Sequence, residues 1–398
     1  MRLVYKSPEM GVEFPEPVRV PNGIRLEVVR DFDELQKHAE AWNQLVKKQG
    51  CSPVLSHSWL ATHFETRLNP DDNWFCLLAY DRQQLVGVLP VVTVPRYWPG
   101  GHKCLRFETP HDTFNTRAAE TLMRHGYEED VFPPFLEYLW SIPCACCCLR
   151  FRGLPCTRLP SVISQRLCRR TRTVTEIDGS EGFITVQGSA AEYFNRLPKK
   201  FYRTYCRIGR HIQEQPEAHF RFETGNPEIN AERFMDIDHQ GWKAERKTSI
   251  RSDESHVKFF RLLAKRMEER GWLRWAFLDI GGETVAGQFM VQNGGTLYVI
   301  KIGYNEKFSK FAPGTALFGR VIEDAFDSGE VKEINLMSDS SWMKDWNVQT
   351  RPTANVAFFP ASIRRWGLCK QPMQLRSLLS RIPKLKKVVD AFSDHLFD

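Results

Sequence analysis

The run Lys301-Ile302-Gly303-Tyr304-Asn305-Glu306-Lys307-Phe308-Ser309-Lys310-Phe311-Ala312-Pro313-Gly314-Thr315-Ala316 holds the residues best placed for chemistry. A strand ends in it, a short loop crosses over, and a helix opens on Pro313. Proline in a first helical turn loses nothing, because that position has no intrahelical N–H bond to make. Gly314 lets a ligand approach the backbone closely. The N–H groups of Gly314, Thr315 and Ala316, with the positive helix end, are read as an anion site that fits a pyrophosphate; a well-capped helix is the other reading. Lys301 is in phase with Leu297 and Val299 and so points inward, where it needs a partner or a pocket. Asp339 follows the strand 333–337, where a cleft would open. It is a candidate base or substrate anchor, although Ser338-Asp339-Ser340-Ser341 also suits a turn. Lys344 lies between Trp342 and Trp346. A lysine between aromatics loses charge by desolvation, holds an anion or snorkels. His239, one turn before Lys243, is of a residue type that serves as a base, although a lone helical histidine also reads as structural. With Trp242 and Trp346 it makes a candidate substrate-binding wall, Trp242 reading equally as core.

The elements that must hold these residues occur twice. Trp42 recurs as Trp242 and Gly87 as Gly287, both at an offset of 200. Each half reads as strand, two helices, hairpin, strand, helix, strand: 24–30, 31–49, 56–68, 74–92, 104–109, 130–140 and 146–152 in the first, with 183–187 closing it. The second half reads 219–224, 229–243, 254–270, 272–292, 296–304, 313–327, 333–337 and 354–359. A basic helix at about 189–214 leads into it. Asp31 is a plausible N-cap with Glu34 three residues on, and Gly271 ends a helix. A period this long means two copies of a domain rather than a solenoid. The expected fold class is α+β, two tandem domains, each a mixed, mostly antiparallel sheet flanked by helices. The boundaries are an arm at 1–22, a first domain at 23–188, a second at 189–361 and a basic helical tail at 362–398.

At 398 residues the chain suits two domains, and 42% hydrophobic with 12% aromatic content supplies two cores. No apolar leader and no run of membrane-span length is read from the sequence. Eleven cysteines, an odd number lying mostly inside strand or helix patterns, suit a reducing cytoplasm. Cys144, Cys146, Cys147 and Cys148 run into a buried strand, so they read as small apolar residues rather than a metal site; no metal is expected. The net charge of +7 is clustered. Arg196, Lys199, Lys200, Arg203, Arg207 and Arg210 fall in one stretch without an acid, and Lys199, Arg203 and Arg207 share one helical face. Ser362 to Lys387 carries eight basic residues and no acid. Both clusters suit anionic partners: cofactor phosphates, a lipid surface or nucleic acid. Gly-x-Ser-x-Gly and His-Glu-x-x-His do not occur, which argues against serine hydrolase and zincin chemistry.

Trp242-Lys243, Ser249, Lys258-Phe259-Phe260-Arg261-Leu262-Leu263, Gly271-Trp272, Val285-Ala286-Gly287, Tyr304, Pro313-Gly314-Thr315-Ala316-Leu317 and Trp342-Met343-Lys344-Asp345-Trp346 resemble the C-terminal domain of the CelD/BcsL-like acetyltransferases of the GNAT superfamily. The tandem arrangement is similar to that of the FemABX peptidyltransferases. The resemblance implies direct acyl transfer from acetyl-CoA or another acyl-CoA to an amine or hydroxyl, in polysaccharide or envelope biosynthesis, by an active second copy beside a degenerate first. It places the coenzyme pyrophosphate at Pro313 to Ala316. It makes Asp339, Lys344, Tyr304 and Lys301 the catalytic candidates, with Tyr304 able to protonate the leaving thiolate. Two departures stand out. The superfamily's Gln/Arg-x-x-Gly-x-Gly/Ala loop is replaced by Pro313-Gly314-Thr315-Ala316, and Tyr304-Asn305 stands where relatives commonly have Tyr-Asp.

Two other readings stay open. A FemABX-like transferase would take its acyl group from aminoacyl-tRNA, with RNA phosphates on the basic helix; nucleic acid is otherwise not an expected partner. A non-catalytic scaffold at a membrane surface would use the basic tail with Leu375, Leu378, Leu379, Ile382 and Leu385. The expected location is the cytoplasm, with peripheral contact to the inner face of the membrane.

Overall fold

The structure is a computed structural model and describes residues 23–70, 72–97, 103–112, 120–142, 148–158, 171–240 and 242–361. The N-terminal arm, the basic tail from 362, and Cys144, Cys146 and Cys147 lie outside the described residues. The first half contains β1 (Ile24–Val29), α1 (Phe32–Lys37), α2 (Ala39–Gln49), α3 (His57–Thr66), β2 (Asn73–Asp81), β3 (Gln84–Tyr97), β4 (Lys103–Glu108), β5 (Leu122–Met123), α4 (Glu128–Ser141) and β6 (Leu149–Pro155). Strand β7 (Thr171–Thr185) leads through α5 (Ala190–Asn195) and α6 (Lys199–Gln213) to the second half. This contains β8 (His219–Glu223), α7 (Pro227–Asp238), α8 (Trp242–Glu245), α9 (Glu254–Glu269), β9 (Leu273–Ile280), β10 (Glu283–Asn293), β11 (Thr296–Tyr304), α10 (Pro313–Asp327), β12 (Glu333–Asn335) and β13 (Gln349–Pro360).

Local chemistry accounts for most element ends. The Asp31 carboxylate accepts the Glu34 N–H at 2.8 Å and starts α1. The expected single helix over 31–49 is two helices, parted at His38. The expected basic helix is also two, because Pro198 has no N–H with which to continue α5. Ser189 and Glu192 form a reciprocal capping box at the start of α5.

The thirteen strands of the described residues form one sheet in the order β1-β2-β3-β4-β6-β13-β7-β12-β11-β10-β9-β8, with β5 beside β3. Two pairs are parallel, β4 with β6 and β11 with β12; the other pairs are antiparallel. Each parallel pair is joined by a helix, α4 in the first half and α10 in the second. The final strand of each half crosses to the other. β7 follows β6 in the chain but pairs with β12, and β13 follows β12 but pairs with β6. The two crossing strands also pair with each other along Gln349–Pro360. This pairing explains why β7 starts at Thr171, well before the expected Phe183. Its partner is distant in sequence.

One core, containing Trp42, Trp59, Phe259 and Trp275, lies on the face shared by α2, α3, α7 and α9. Two separate cores cover the opposite face, one under α4 and one under α5, α6 and α10. The halves are tied by Arg266 to Glu65 at 2.5 Å, Arg270 to Glu40 at 2.7 Å, and the Asn293 amide to the Cys51 carbonyl at 2.8 Å.

The order of elements repeats, but the glycine match does not. Hairpin register aligns Asp81–Gln84 with Ile280–Glu283, an offset of 199. Gly87 lies against Val131 of α4, while Gly287 lies against Phe234 of α7, on the other sheet face. A one-residue slip moves a side chain across a sheet, so the two glycines serve different close contacts.

Another glycine fixes α6. A Cβ at Gly319 of α10 would overlap the Tyr205 ring, whose hydroxyl donates to Glu323 at 3.1 Å. Gly319→Ala will therefore displace Tyr205 and lower unfolding free energy by roughly 1–3 kcal/mol, the usual cost of overpacking. Urea denaturation measures this, and an unchanged midpoint would contradict the contact.

Candidate active site

Strands β11 and β12 pair only from Thr296 with Glu333 to Tyr298 with Asn335. Beyond that point β12 ends, and Met337 turns the chain in a left-handed conformation, φ 54°. β11 runs on to Tyr304 without β12 beside it. It also carries a bulge. Phe289 faces Lys301 and Met290 faces Val299, so Ile300 is the extra residue. β4, the matching strand of the first half, pairs with β3 without interruption.

The bulge corrects the reading of Lys301. Leu297 and Val299 enter the α10 core, but the extra residue reverses the alternation, and Lys301 faces α9 instead. Its Nζ lies 5.4 Å from the centroid of the Phe260 ring. Burial holds the Lys301 ammonium below the usual lysine range; Lys243 and Arg67 push the same way, and Asp238 and Asp112 oppose them.

Asp238 and Lys243 were not singled out as site residues, although Lys243 stands in the Trp-Lys pair. The fully buried Asp238 carboxylate accepts Lys243 Nζ at 2.6 Å and the Ile250 N–H at 2.8 Å. Lys243 also donates to the Ile302 carbonyl at 2.8 Å, on the stretch of β11 that β12 has left. This network fixes the strand edge from the α7 side. Nearby, Arg67 of the first half bonds Asp112 at 2.5 Å and the Ser255 hydroxyl of the second. His256 and Asp112 are buried beside it.

On the other face, α10 starts at Pro313 after Ala312 in a left-handed conformation. The Ala316 N–H already donates to the Ala312 carbonyl at 3.1 Å, so it is removed from the anion site. Gly314 and Thr315 are half-buried, and their N–H groups meet no acceptor among the described residues. The Tyr304 ring stands beside Gly314, 3.5 Å from where a Cβ would be. No acidic residue occupies the first turn of α10. In α4, its counterpart, that turn holds Glu128, Glu129 and Asp130. Carboxylates repel a phosphate from a helix start that otherwise attracts it.

The remaining expectations fare differently. Asn305 is buried, its amide donating to Glu283 at 2.9 Å and its oxygen capping Lys307. An aspartate there could not donate, which accounts for the departure from Tyr-Asp. Trp346 is core: it is 2% exposed and packs against Phe201 and Phe318. Lys344 is exposed, because a 3₁₀ turn at Ser341–Trp346 repeats every three residues and buries Met343 and Trp346 instead. Asp339 is exposed and accepts the Ser180 hydroxyl at 2.7 Å, tying the turn to β7. His239 is an exposed helix end bonded to the Ser249 hydroxyl at 2.8 Å. The Trp242 side chain lies outside what is described. No cluster of potential metal ligands occurs among the described residues, and no described helix is long and apolar enough to cross a membrane. The structure thus groups Lys301 with Asp238 and Lys243 on one side of the parted strands and Tyr304 with Gly314 and Thr315 at the other. Lys344, Trp346 and His239 join neither group.

Residues 199–344 match the family model of an acetyltransferase (GNAT) domain. No curated protein sequence matches the chain. Among solved structures, FemX aligns with 87% of this chain and all of its own at 9% identity, TM-score 0.58. The C-terminal domain of a putative lysylphosphatidylglycerol synthetase from Agrobacterium fabrum aligns with 84% of this chain and 95% of its own at 9% identity, TM-score 0.50. A tandem GNAT protein from the clavulanic acid biosynthesis pathway aligns over 85% of this chain and 99% of its own at 10% identity, TM-score 0.41. At these identities the likeness speaks for the fold. On that fold and the matched domain, the chain is an acyltransferase built on a tandem GNAT fold.

Proposed function

We propose that the second half transfers an acyl group directly from acyl-CoA to an amine or hydroxyl acceptor, as the CelD/BcsL-like resemblance implies. The observation that carries this is the open start of α10: two amides without acceptors among the described residues and no first-turn acid, beside strands that have parted. The residues present fit the coenzyme. Gly314 and Thr315 would hold its pyrophosphate, and the acyl end would reach between β11 and β12 toward the α9 face. The coenzyme supplies a thioester; the chain supplies position and proton handling. Lys301, on that face with its pKa lowered, takes a proton from the nucleophile. Tyr304, beside Gly314, is placed to donate one to the leaving sulfur. Asp339, tied to β7, is left as a substrate anchor. Calorimetry with acetyl-CoA and longer acyl-CoAs tests the reading. Saturable binding is expected, and no heat with any of them would end it.

Lys301→Gln will lower kcat by roughly 10²–10⁴-fold, the range of a general base, with little change in coenzyme affinity. The rate of the parent enzyme will rise with pH through a value below that of an ordinary lysine, because the neutral amine is the working form. A pH–rate profile measures both. A rising limb that persists in Lys301→Gln would remove the assignment.

An aminoacyl-tRNA donor is the second reading, and α6 favours it. Lys199, Lys200, Arg203, Arg207 and Arg210 are exposed along one helix, and none has a partner among the described residues. The C-terminal end of α6 lies at the start of α10, where His211 is 5.1 Å from Phe311. RNA binding there will weaken with salt at a slope of roughly −0.7 to −0.9 per phosphate neutralised. Filter binding from low to physiological salt checks it, and a flat response excludes this donor.

A further inference from the structure

In the first half, Leu105, Phe107, Leu149 and Phe151 enter the core under α4. The alternate residues Arg106, Glu108, Arg150 and Arg152 therefore point to the opposite face, the side on which α3 packs. Glu108 is buried and meets three guanidinium groups: Arg106 through Nε, Arg152 at 3.3 Å and Arg150 at 3.7 Å. Among the contacts of the described residues, the single carboxylate of Glu108 is shared by these three guanidinium groups. The Arg150 and Arg152 side chains are only 22% and 27% exposed. Arg152 Nε is buried without a hydrogen-bond acceptor among the described residues. Segments 98–102, 113–119, 143–147 and 159–170, which adjoin these strands in sequence, contain no Asp or Glu.

We infer that Arg150 and Arg152 bind a dianionic phosphate group carried by the acceptor. Half-buried cations call for a counter-charge. Two planar guanidinium forks suit phosphate oxygens better than lysines would. The position also fits an acceptor. From Glu108 the chain continues through Thr109, whose N–H bonds the Arg150 carbonyl at 3.0 Å, to Asp112, whose charge is felt by Lys301. The site thus shares a sheet face with Lys301, while the donor phosphates take the start of α10 on the other face. This inference rests on the proposed acyl transfer for its word "acceptor"; the phosphate site itself is tested separately.

The test uses the full chain, calorimetry, and sodium pyrophosphate and sodium glucuronate as probes. The parent protein will bind two pyrophosphates, and the double variant Arg150→Gln/Arg152→Gln will bind one. Glucuronate, a monoanion, will bind the arginine site at least tenfold more weakly. Coenzyme A affinity will not change in the double variant. Its ligand-free melting temperature will be equal or higher, because like-charge crowding is relieved. Arg150→Lys/Arg152→Lys keeps the charge but not the forks, and will weaken the site without removing it. Pyrophosphate binding that is the same in parent and double variant overturns the inference. So does a double variant that melts lower while binding pyrophosphate undiminished, which would mark the cluster as a tie between β4 and β6. Failure of the donor reading shows elsewhere, as an unchanged pyrophosphate response on blocking the start of α10.

Discussion

Replacing Gly314 by glutamate will weaken coenzyme A binding at least 100-fold while leaving the fold intact. Gly314 is not in a left-handed conformation, so a side chain does not strain its backbone. An added Cβ would meet the Tyr304 ring at an ordinary 3.5 Å. What changes is charge. A carboxylate in the first turn favours the helix dipole and so occupies the field that the pyrophosphate needs, as Glu128, Glu129 and Asp130 already do in α4. Two phosphates facing a fixed carboxylate lose both the attraction and the free amides. Calorimetry gives the affinity, and circular dichroism with thermal melting gives the fold. Gly314→Ala serves as the steric control and will retain most of the affinity. If Gly314→Glu binds as tightly as the parent, the phosphates do not sit at α10, and the donor assignment fails with them.

The second large effect concerns the boundary at 188 and 189. Expressed alone, 23–188 and 189–361 will each fail to fold, and together they will assemble. The sequence reading makes these two domains, and each has a complete set of helices. The sheet does not divide there. Without 189–361, β6 loses β13 as neighbour and β7 loses both partners. Without 23–188, β12 loses β7, and β13 is left as an unpaired strand of twelve residues. The Trp59–Phe259 contact in the shared core is cut as well. Exposed edges and a split apolar core favour aggregation. Solubility and cooperative urea unfolding of the separate and co-expressed pieces are the measurements. A sigmoidal transition for either piece alone would show that the exchanged strands are dispensable.

Much of the architecture was legible because it is written in local periodicity. The β9–β10 hairpin, the 3.6-residue pattern of α9, the Asp31 cap and the Pro313 helix start each depend on neighbours within a few residues. The helix start that carries Gly314 and Thr315 in its first turn was legible for the same reason. It needs only a strand end and a crossover before it. Ala316 differs from Gly314 and Thr315 because its amide makes the first helical bond, which follows from where the helix begins.

The misplaced residues share a different cause. Lys301 was assigned to the wrong face because a bulge at Ile300 leaves the sequence alternating as if nothing had happened. Trp346 is buried and Lys344 exposed because a 3₁₀ turn repeats in three residues, a period that a six-residue segment cannot display. Arg67, Asp112 and Ser255 come from both halves, and nothing in their spacing joins them.

By itself, the order of residues determined that there are two α+β units, which one opens a helix on Pro313 without an acid in its first turn, and where its basic surface helix lies. Those properties are set by backbone preference and side-chain period over a few turns. Only the tertiary structure decided that the units share one sheet, that their last strands change places, and which face Lys301 and the Arg150–Arg152 pair address. Strand pairing joins residues more than a hundred positions apart through main-chain groups that every residue carries alike, so the partner is chosen by packing of the whole molecule.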